Sequence, residues 1–271
     1  MDYHENKRKF SECYRVYLTT HRGLIRDNNE DNFTINTVSK KLEYKNLSFN
    51  ALYEAPLLTA VFDGMGGESK GEYASFISAK LAKWLHSGIK RHPEAPLKEL
   101  VGSYIQRANN EIRDFLELNK CQTGGSTIAA TIVKNGIIFP FSLGDSRIYL
   151  MRNSKLTQLS HDHTLAMKLY EANIYSKEVA EKSPDSHKLT AFLGADSYRR
   201  GISAQYYEPI VMQMSDKLLL CSDGLYDELS LREIETTLKN HPDNPALELV
   251  KAAIKRGGND NITCAVVERE F

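Results

Sequence analysis

Cysteine is scarce. Four residues, Cys13, Cys121, Cys221 and Cys264, are scattered through 271 positions with no C-x-x-C pair. That excludes a disulfide scaffold and a cysteine-built zinc module. Cys221 and Cys264 lie in apolar runs and are expected as buried, reduced thiols. A net charge of either sign is also missing, because 35 Lys plus Arg balance 35 Asp plus Glu. Such a chain offers no global field to nucleic acid or anionic lipid. No apolar run nears the ~20 residues needed to cross a bilayer, and the opening MDYHENKRKF has no apolar signal region. These absences predict a soluble, cytoplasmic, monomeric protein with no nucleic-acid or membrane partner. No Pro/Gly/Ser-rich linker divides the chain, so residues 1–271 are expected to form one domain, with 1–12 flexible.

What the chain does have is acids at the ends of apolar runs. Leu57, Leu58, Ala60, Val61 and Phe62 lead to Asp63, followed by Gly64, Met65, Gly66 and Gly67. FPFSLGDSR at 139–147 and KLLLCSDGLYD at 217–227 repeat the layout. A buried strand that delivers a carboxylate to its end and then turns on glycine holds charge at the rim of a core.

The remaining pattern frames these strands. Tyr14–Thr20 alternates as a strand, Arg26–Asn32 reads as a polar loop, and 38–56 reads as a hairpin excursion without chemistry of its own. Helical spacing over Ser69–His92 puts Ala74, Ile77, Leu81, Trp84 and Leu85 on one face, and Leu97–Leu118 repeats it. Ser126–Val133, Ile137–Leu143 and Arg147–Met151, joined by tight turns, predict a three-stranded meander. Residues 161–200 are polar, with short helical pieces at Leu165–Glu171 and Lys177–Lys182, and are expected as a mobile surface segment. Helices at Leu231–Lys239 and Ala246–Lys255 precede a closing strand, Ile262–Val267. Paired helices near both ends with strands between them predict an α+β sandwich, two antiparallel sheets flanked by helices on both outer faces.

The candidate acids are Glu30, Asp31, Asp63, Asp145, Asp223, Asp227 and Asp260. Each alone reads first as a turn residue or a solvated loop charge. Together, with strand ends meeting at one rim, they would repel and raise one another's pKa. Hard divalent cations answer that repulsion, and carboxylates, a main-chain carbonyl and waters suit Mg2+ or Mn2+ rather than zinc. A carboxylate bridging two ions ~4 Å apart would activate water for attack on phosphorus. Gly64 would let a carbonyl approach a metal closely. Arg26 reads either as a salt-bridge partner of Glu30 or Asp31 or as a planar fork for a phosphate.

Six motifs then occur in order from about residue 15 to 268: RDNNEDN at 26–32, VFDGMGG at 61–67, GGST at 124–127, GDSR at 144–147, SDGLYD at 222–227 and DNIT at 260–263. The chain resembles the PPM, or type 2C, family of metal-dependent protein serine/threonine phosphatases, in its bacterial branch. The resemblance implies an α-β-β-α sandwich that hydrolyses phosphoserine and phosphothreonine with a two-metal-activated water and no phosphoenzyme. It implies Asp63 bridging two Mn2+ or Mg2+ ions, Asp223 and Asp260 completing one site, and Glu30 with the Gly64 carbonyl serving the other. Arg26 would hold the substrate phosphate, Asp145 with Asp223 a weaker third ion, and Asp31 and Asp227 would be supporting residues. Phosphoproteins, among them a cognate Ser/Thr kinase or its targets, are the implied partners, and 161–194 the implied flap.

Two departures stand out. Met65 occupies the place of the animal enzymes' histidine, which leaves the general acid unassigned. Ser186-His187-Lys188 replaces the usual flap Arg-Asn, which puts flap-based substrate preference in doubt. His161, His163 and His187 are each expected as solvated flap side chains. A regulatory pseudophosphatase and a two-metal phosphodiesterase are the rival readings.

Overall fold

A computed structural model describes residues 12–66, 70–121, 123–195 and 202–270. It contains two large antiparallel sheets stacked face to face, and a two-stranded ribbon pairing Gly64–Met65 with Gly125–Ser126. In the first, the strands run Lys155–Gln158, Arg147–Arg152, Lys217–Cys221, Ile262–Arg269, Cys13–His21, Leu47–Glu54. In the second they run Gln205–Tyr206, Ile137–Leu143, Ile128–Lys134, Leu57–Phe62, Asn32–Ile35, Val38–Ser39, with Ile210–Val211 also pairing to Ile137–Leu143.

Strand pleat explains the layers. Successive side chains point to opposite faces, so a strand buried on both sides reads as a continuous apolar run. In Leu57–Phe62, Leu57 and Val61 enter the core between the sheets, with Tyr14, Val16, Leu18, Leu218, Leu220 and Val267. Leu58, Ala60 and Phe62 face outward, against the helices Lys70–Arg91 and Leu97–Leu118 through Leu81, Leu85, Tyr104 and Ile105. The other sheet turns Tyr17, Leu219 and Val266 toward the helices Leu231–Asn240 and Pro245–Arg256. The α-β-β-α order of layers is therefore the predicted one. Cys221 and Cys264 are buried free thiols, also as predicted.

Three local expectations are corrected. The three-strand meander does not form: Ile128–Lys134 and Ile137–Leu143 pair in the second sheet, but Arg147–Arg152 joins the first. The chain changes sheets at Gly144, whose φ of +109° is a conformation that disfavours side chains. A turn signal alone does not say whether the next strand stays in its sheet. Trp84 does not sit in the core. It is 39% exposed under the Arg107 guanidinium, 5.6 Å from its ring centroid, because Leu81 and Leu85, one turn apart, take the buried stripe. Residues 38–56 are no detached excursion: Leu47–Glu54 forms an edge strand on Cys13–His21. Among the described residues the first long helix starts at Lys70, and the expected start at Ser69 and the glycine Gly67 lie outside them. The flexibility expected of 1–12 falls almost wholly outside them too.

Candidate metal centre

The acids converge at one rim of the stacked sheets, where strands of both end. Asp63 follows a strand of the second sheet, while Asp223 follows Lys217–Cys221 of the first and opens the one-turn helix Asp223–Tyr226. Facing sheets, not pairing within one sheet, bring them together. Asp63 and Asp223 lie within hydrogen-bonding reach of each other. Asp63 also feels the charges of Asp31 and Asp145, and Asp223 those of Asp260. The GGST segment secures Asp63: its N–H donates to Thr127 Oγ1 at 3.0 Å, Thr127 N–H returns a bond to the Asp63 carbonyl at 2.9 Å, and the Thr127 hydroxyl meets Ser146 Oγ at 2.6 Å.

The loop at 26–32 is tied to the far end of the chain. Asn261 Oδ1 accepts the Glu30 N–H at 2.7 Å, and its amide donates to the carbonyls of Arg22 and Asn28 at 2.9 and 2.8 Å. Arg26 donates to Asp260 Oδ2 at 2.7 Å. Its partner is thus Asp260 rather than Glu30 or Asp31. Asp31 is 1% exposed; its Oδ2 accepts from Ser222 Oγ at 2.7 Å and its Oδ1 is buried with no hydrogen-bond partner.

Gly64 and Gly71 mark a close approach of backbone. A Cβ on Gly64 would stand 2.2 Å from the Gly71 carbonyl oxygen and 2.5 Å from that of Glu30. A Cβ on Gly71 would stand 2.7 Å from both the Gly64 carbonyl oxygen and Glu30 Oε2. Two oxygens, one main-chain and one carboxylate, therefore flank a single point that only glycine leaves open. With the surrounding carboxylates and the orphan oxygen of Asp31, the donor set is all oxygen, which fits a hard divalent cation.

Electrostatics agree. Burial pushes the Glu30 carboxyl up to about 7, against a downward pull from Arg26. Burial and then the neighbouring acids raise Asp63, Asp145, Asp223 and Asp31, and burial with Asp223 raises Asp227. Each rise has the same physical cause, like charges crowded away from water. A bound cation would offset it.

Several residues of the site lie outside the candidate set, some of them within the quoted motifs. Glu72, 8% exposed on the first turn of Lys70–Arg91, accepts from the Asn28 side chain. Lys40, from the segment expected to be free of chemistry, is 1% exposed and donates to the Asn29 carbonyl at 2.6 Å. Arg147 of GDSR grips Asp162 through Nε and a terminal nitrogen, at 3.0 and 2.6 Å to Oδ2, and lies 3.5 Å from the Tyr226 ring centroid. Tyr226 in turn donates to the Asp145 carbonyl at 3.1 Å. No local signal marks Lys40, which stands beside Lys41 just after the two-residue strand Val38–Ser39.

The short helices at Leu165–Glu171 and Lys177–Lys182 form as predicted. The histidines beside them are not simply solvated. His163 is half-buried, with its ring between Gly144 and Gln205, and burial lowers its pKa. His161 Nε2 is 2.7 Å from Glu171. His187 is exposed as expected, but its ring offers a donor atom within 4.8 Å of donor atoms of Asp223 and Asp227. A cavity of about 760 Å3 opens beside it, lined by Met167, Tyr170, Tyr226, Asp227 and Ile234.

Residues 46–256 match the family model described as protein phosphatase 2C. The chain belongs to that family. It is a bacterial-type PPM protein, with the fold seen in solved phosphatases of this family. It is 32% identical over 257 residues to the serine/threonine phosphatase stp of Listeria monocytogenes, covering 93% of this chain and 94% of that one. The crystal structure of the serine/threonine phosphatase PstP/Ppp of Mycobacterium tuberculosis superposes with a TM-score of 0.77 at 26% identity, covering 96% of this chain and 100% of that one. A structure of the PstP catalytic domain in complex with two manganese ions gives 0.75 at 25% identity, covering 96% and 100%. No helix among the described residues of this PPM protein is long and apolar enough to cross a membrane.

Proposed function

We propose that this PPM protein removes phosphate from phosphoserine and phosphothreonine in proteins, including a Ser/Thr kinase or its targets, and that it depends on Mn2+ or Mg2+. The observation that carries the reading is the shared opening between the Gly64 carbonyl and Glu30 Oε2, set in a crowd of acids with raised pKa. The named activities of the relatives and the two manganese ions of the PstP complex support it.

Asp63 would touch both ions. Asp223 and Asp260 would complete one site, Glu30 and the Gly64 carbonyl the other, and Asp145 with Asp223 a third. When bound, the ions supply Lewis acidity and an activated water for direct attack on phosphorus without a phosphoenzyme. The protein's part is to place the substrate. Arg26, held by Asp260 at 2.7 Å, presents a fork suited to two phosphate oxygens. Thr127 and Ser146 hold the Asp63 backbone, and Asn261 holds that of Glu30. Asp31, buried against Ser222, and Asp227, beside His187, support the ligands from behind.

The test is phosphate release from a phosphothreonine peptide with Mn2+ and with EDTA, compared with p-nitrophenyl phosphate and its bis ester. Turnover of the peptide and monoester, abolished by EDTA, is expected. Preference for the diester would replace this reading with a phosphodiesterase, and inactivity on all three with a pseudophosphatase.

A further inference from the structure

A lysine 1% exposed needs a reason, because burying an ammonium is costly unless it is paired. Lys40 is not buried by accident of packing. Its backbone is clamped by the Asn32 side chain, which accepts the Lys40 N–H at 3.1 Å and donates to its carbonyl at 3.4 Å. That grip aims the side chain inward, where Nζ donates to the Asn29 carbonyl at 2.6 Å. The acids whose charges favour the ammonium are Asp31, Glu72 and Glu30, in that order, opposing the burial that disfavours it.

The bonded carbonyl is well placed. It belongs to the peptide that leads directly into Glu30, whose own N–H is held by Asn261 at 2.7 Å and whose carbonyl accepts from Ser75 Oγ at 2.5 Å. Asn29 is held separately, its side-chain amide donating to Thr20 Oγ1 at 2.9 Å and to the Lys45 carbonyl at 2.7 Å. Lys40 is thus the charged member of a set of bonds fixing the backbone on either side of Glu30. Glu72, the acid shared by Lys40 and Glu30, sits one residue after Gly71, whose missing side chain opens the Glu30–Gly64 gap.

We infer that Lys40 is a positioning residue of the metal centre, a resident counter-charge that holds the Asn29–Glu30 peptide and compensates the acids while no divalent ion is bound. An ion entering between Glu30 and the Gly64 carbonyl then shares that task. The inference rests on the metal-dependent reading above, but its charge component is separable from it. An apolar side chain could fill the same space but could neither bond the Asn29 carbonyl nor offset the charges of Asp31, Glu72 and Glu30.

The experiment uses the full chain with Lys40→Met, Glu72→Gln and both together, following thermal unfolding in EDTA and in saturating Mn2+, with Mn2+ binding measured by calorimetry. Breaking a buried charge set is costly, so Lys40→Met should lower the metal-free midpoint by roughly 5–15 °C. Mn2+ should recover a large part of that loss. Adding Glu72→Gln to Lys40→Met should also recover part of it in EDTA, whereas Glu72→Gln alone should lower the midpoint. An equal loss in EDTA and Mn2+ with no rescue by Glu72→Gln would reduce Lys40 to a packing residue and overturn the proposal, as would no loss at all. If Lys40→Met does not fold, recovery of folding in the double variant supports the proposal, and a Glu72→Gln protein as stable as wild type overturns it. Should Mn2+ bind neither wild type nor variant, the metal reading fails, and the charge rescue in EDTA still decides Lys40.

Discussion

Arg26 and Asp260 are 234 residues apart in the chain and meet in a 2.7 Å ion pair, both partly open to solvent. The pair holds the guanidinium beside the acid cluster, where the charges of Glu30 and Asp223 also act on it. Hydrogen bonds to charged groups contribute about 1.5–3 kcal/mol. Arg26→Ala should therefore lower kcat/KM for a phosphopeptide roughly 10- to 100-fold. Arg26→Lys should recover only part, since an ammonium lacks the fork. Steady-state kinetics at saturating Mn2+ will check this, and equal activity of Arg26→Lys and wild type would contradict bidentate phosphate binding.

Asp63 and Asp223 each have a raised pKa because burial and like charges oppose their ionised forms. Neutral replacements should therefore separate activity from stability. Asp63→Asn and Asp223→Asn should each cut turnover more than the ~10²-fold that loss of a metal's outer partner can cost. Their metal-free unfolding midpoints should match or exceed wild type. Activity near wild type in either variant would remove that residue from the centre.

Thr127 joins Asp63 N–H to Ser146 through one hydroxyl, with Thr127 and Ser146 both buried. Thr127→Val keeps the shape and orphans the Asp63 amide. A buried unsatisfied donor costs about 1–3 kcal/mol. Denaturant unfolding should register that loss, and Mn2+ affinity should fall with it because Asp63 loses its anchor. Unchanged Mn2+ affinity would mean that Asp63 is positioned by other contacts.

Glu30 has its pKa raised to about 7, mainly by burial. A raised folded-state pKa gives stability that is complete below the ordinary carboxylate value and is lost as pH rises through about 7. Asp63, Asp145 and Asp223 act in the same direction. In EDTA the protein should therefore melt at a higher temperature near pH 6 than near pH 8. Saturating Mn2+ should flatten or invert that order, since ligands bind metal deprotonated. Melting curves at the two pH values, with and without Mn2+, decide it. A metal-free midpoint that climbs toward pH 8 would show that these acids are not crowded.

Period and punctuation made much of this molecule legible. Leu57–Phe62 announced a two-sided strand because five of its six residues are apolar, and the Leu97–Leu118 helix matches its predicted limits because a single apolar stripe specifies it. The acids at strand ends were legible for the same reason, since a charge that closes an apolar run must lie at a rim. What the pattern could not express is which strands share a sheet. Arg147–Arg152 follows Gly144 into the opposite sheet, and that crossing brings Asp145 to Asp223. Nor could it place Lys40. Its neighbours Val38 and Lys41 are exposed side chains, and nothing local distinguishes a buried lysine from a solvated one. Local spacing determines which face of an element is apolar, because that depends only on backbone geometry within a few residues. Charges that meet across ten to more than two hundred residues are decided by the tertiary fold, because only packing sets their distance and removes the water between them.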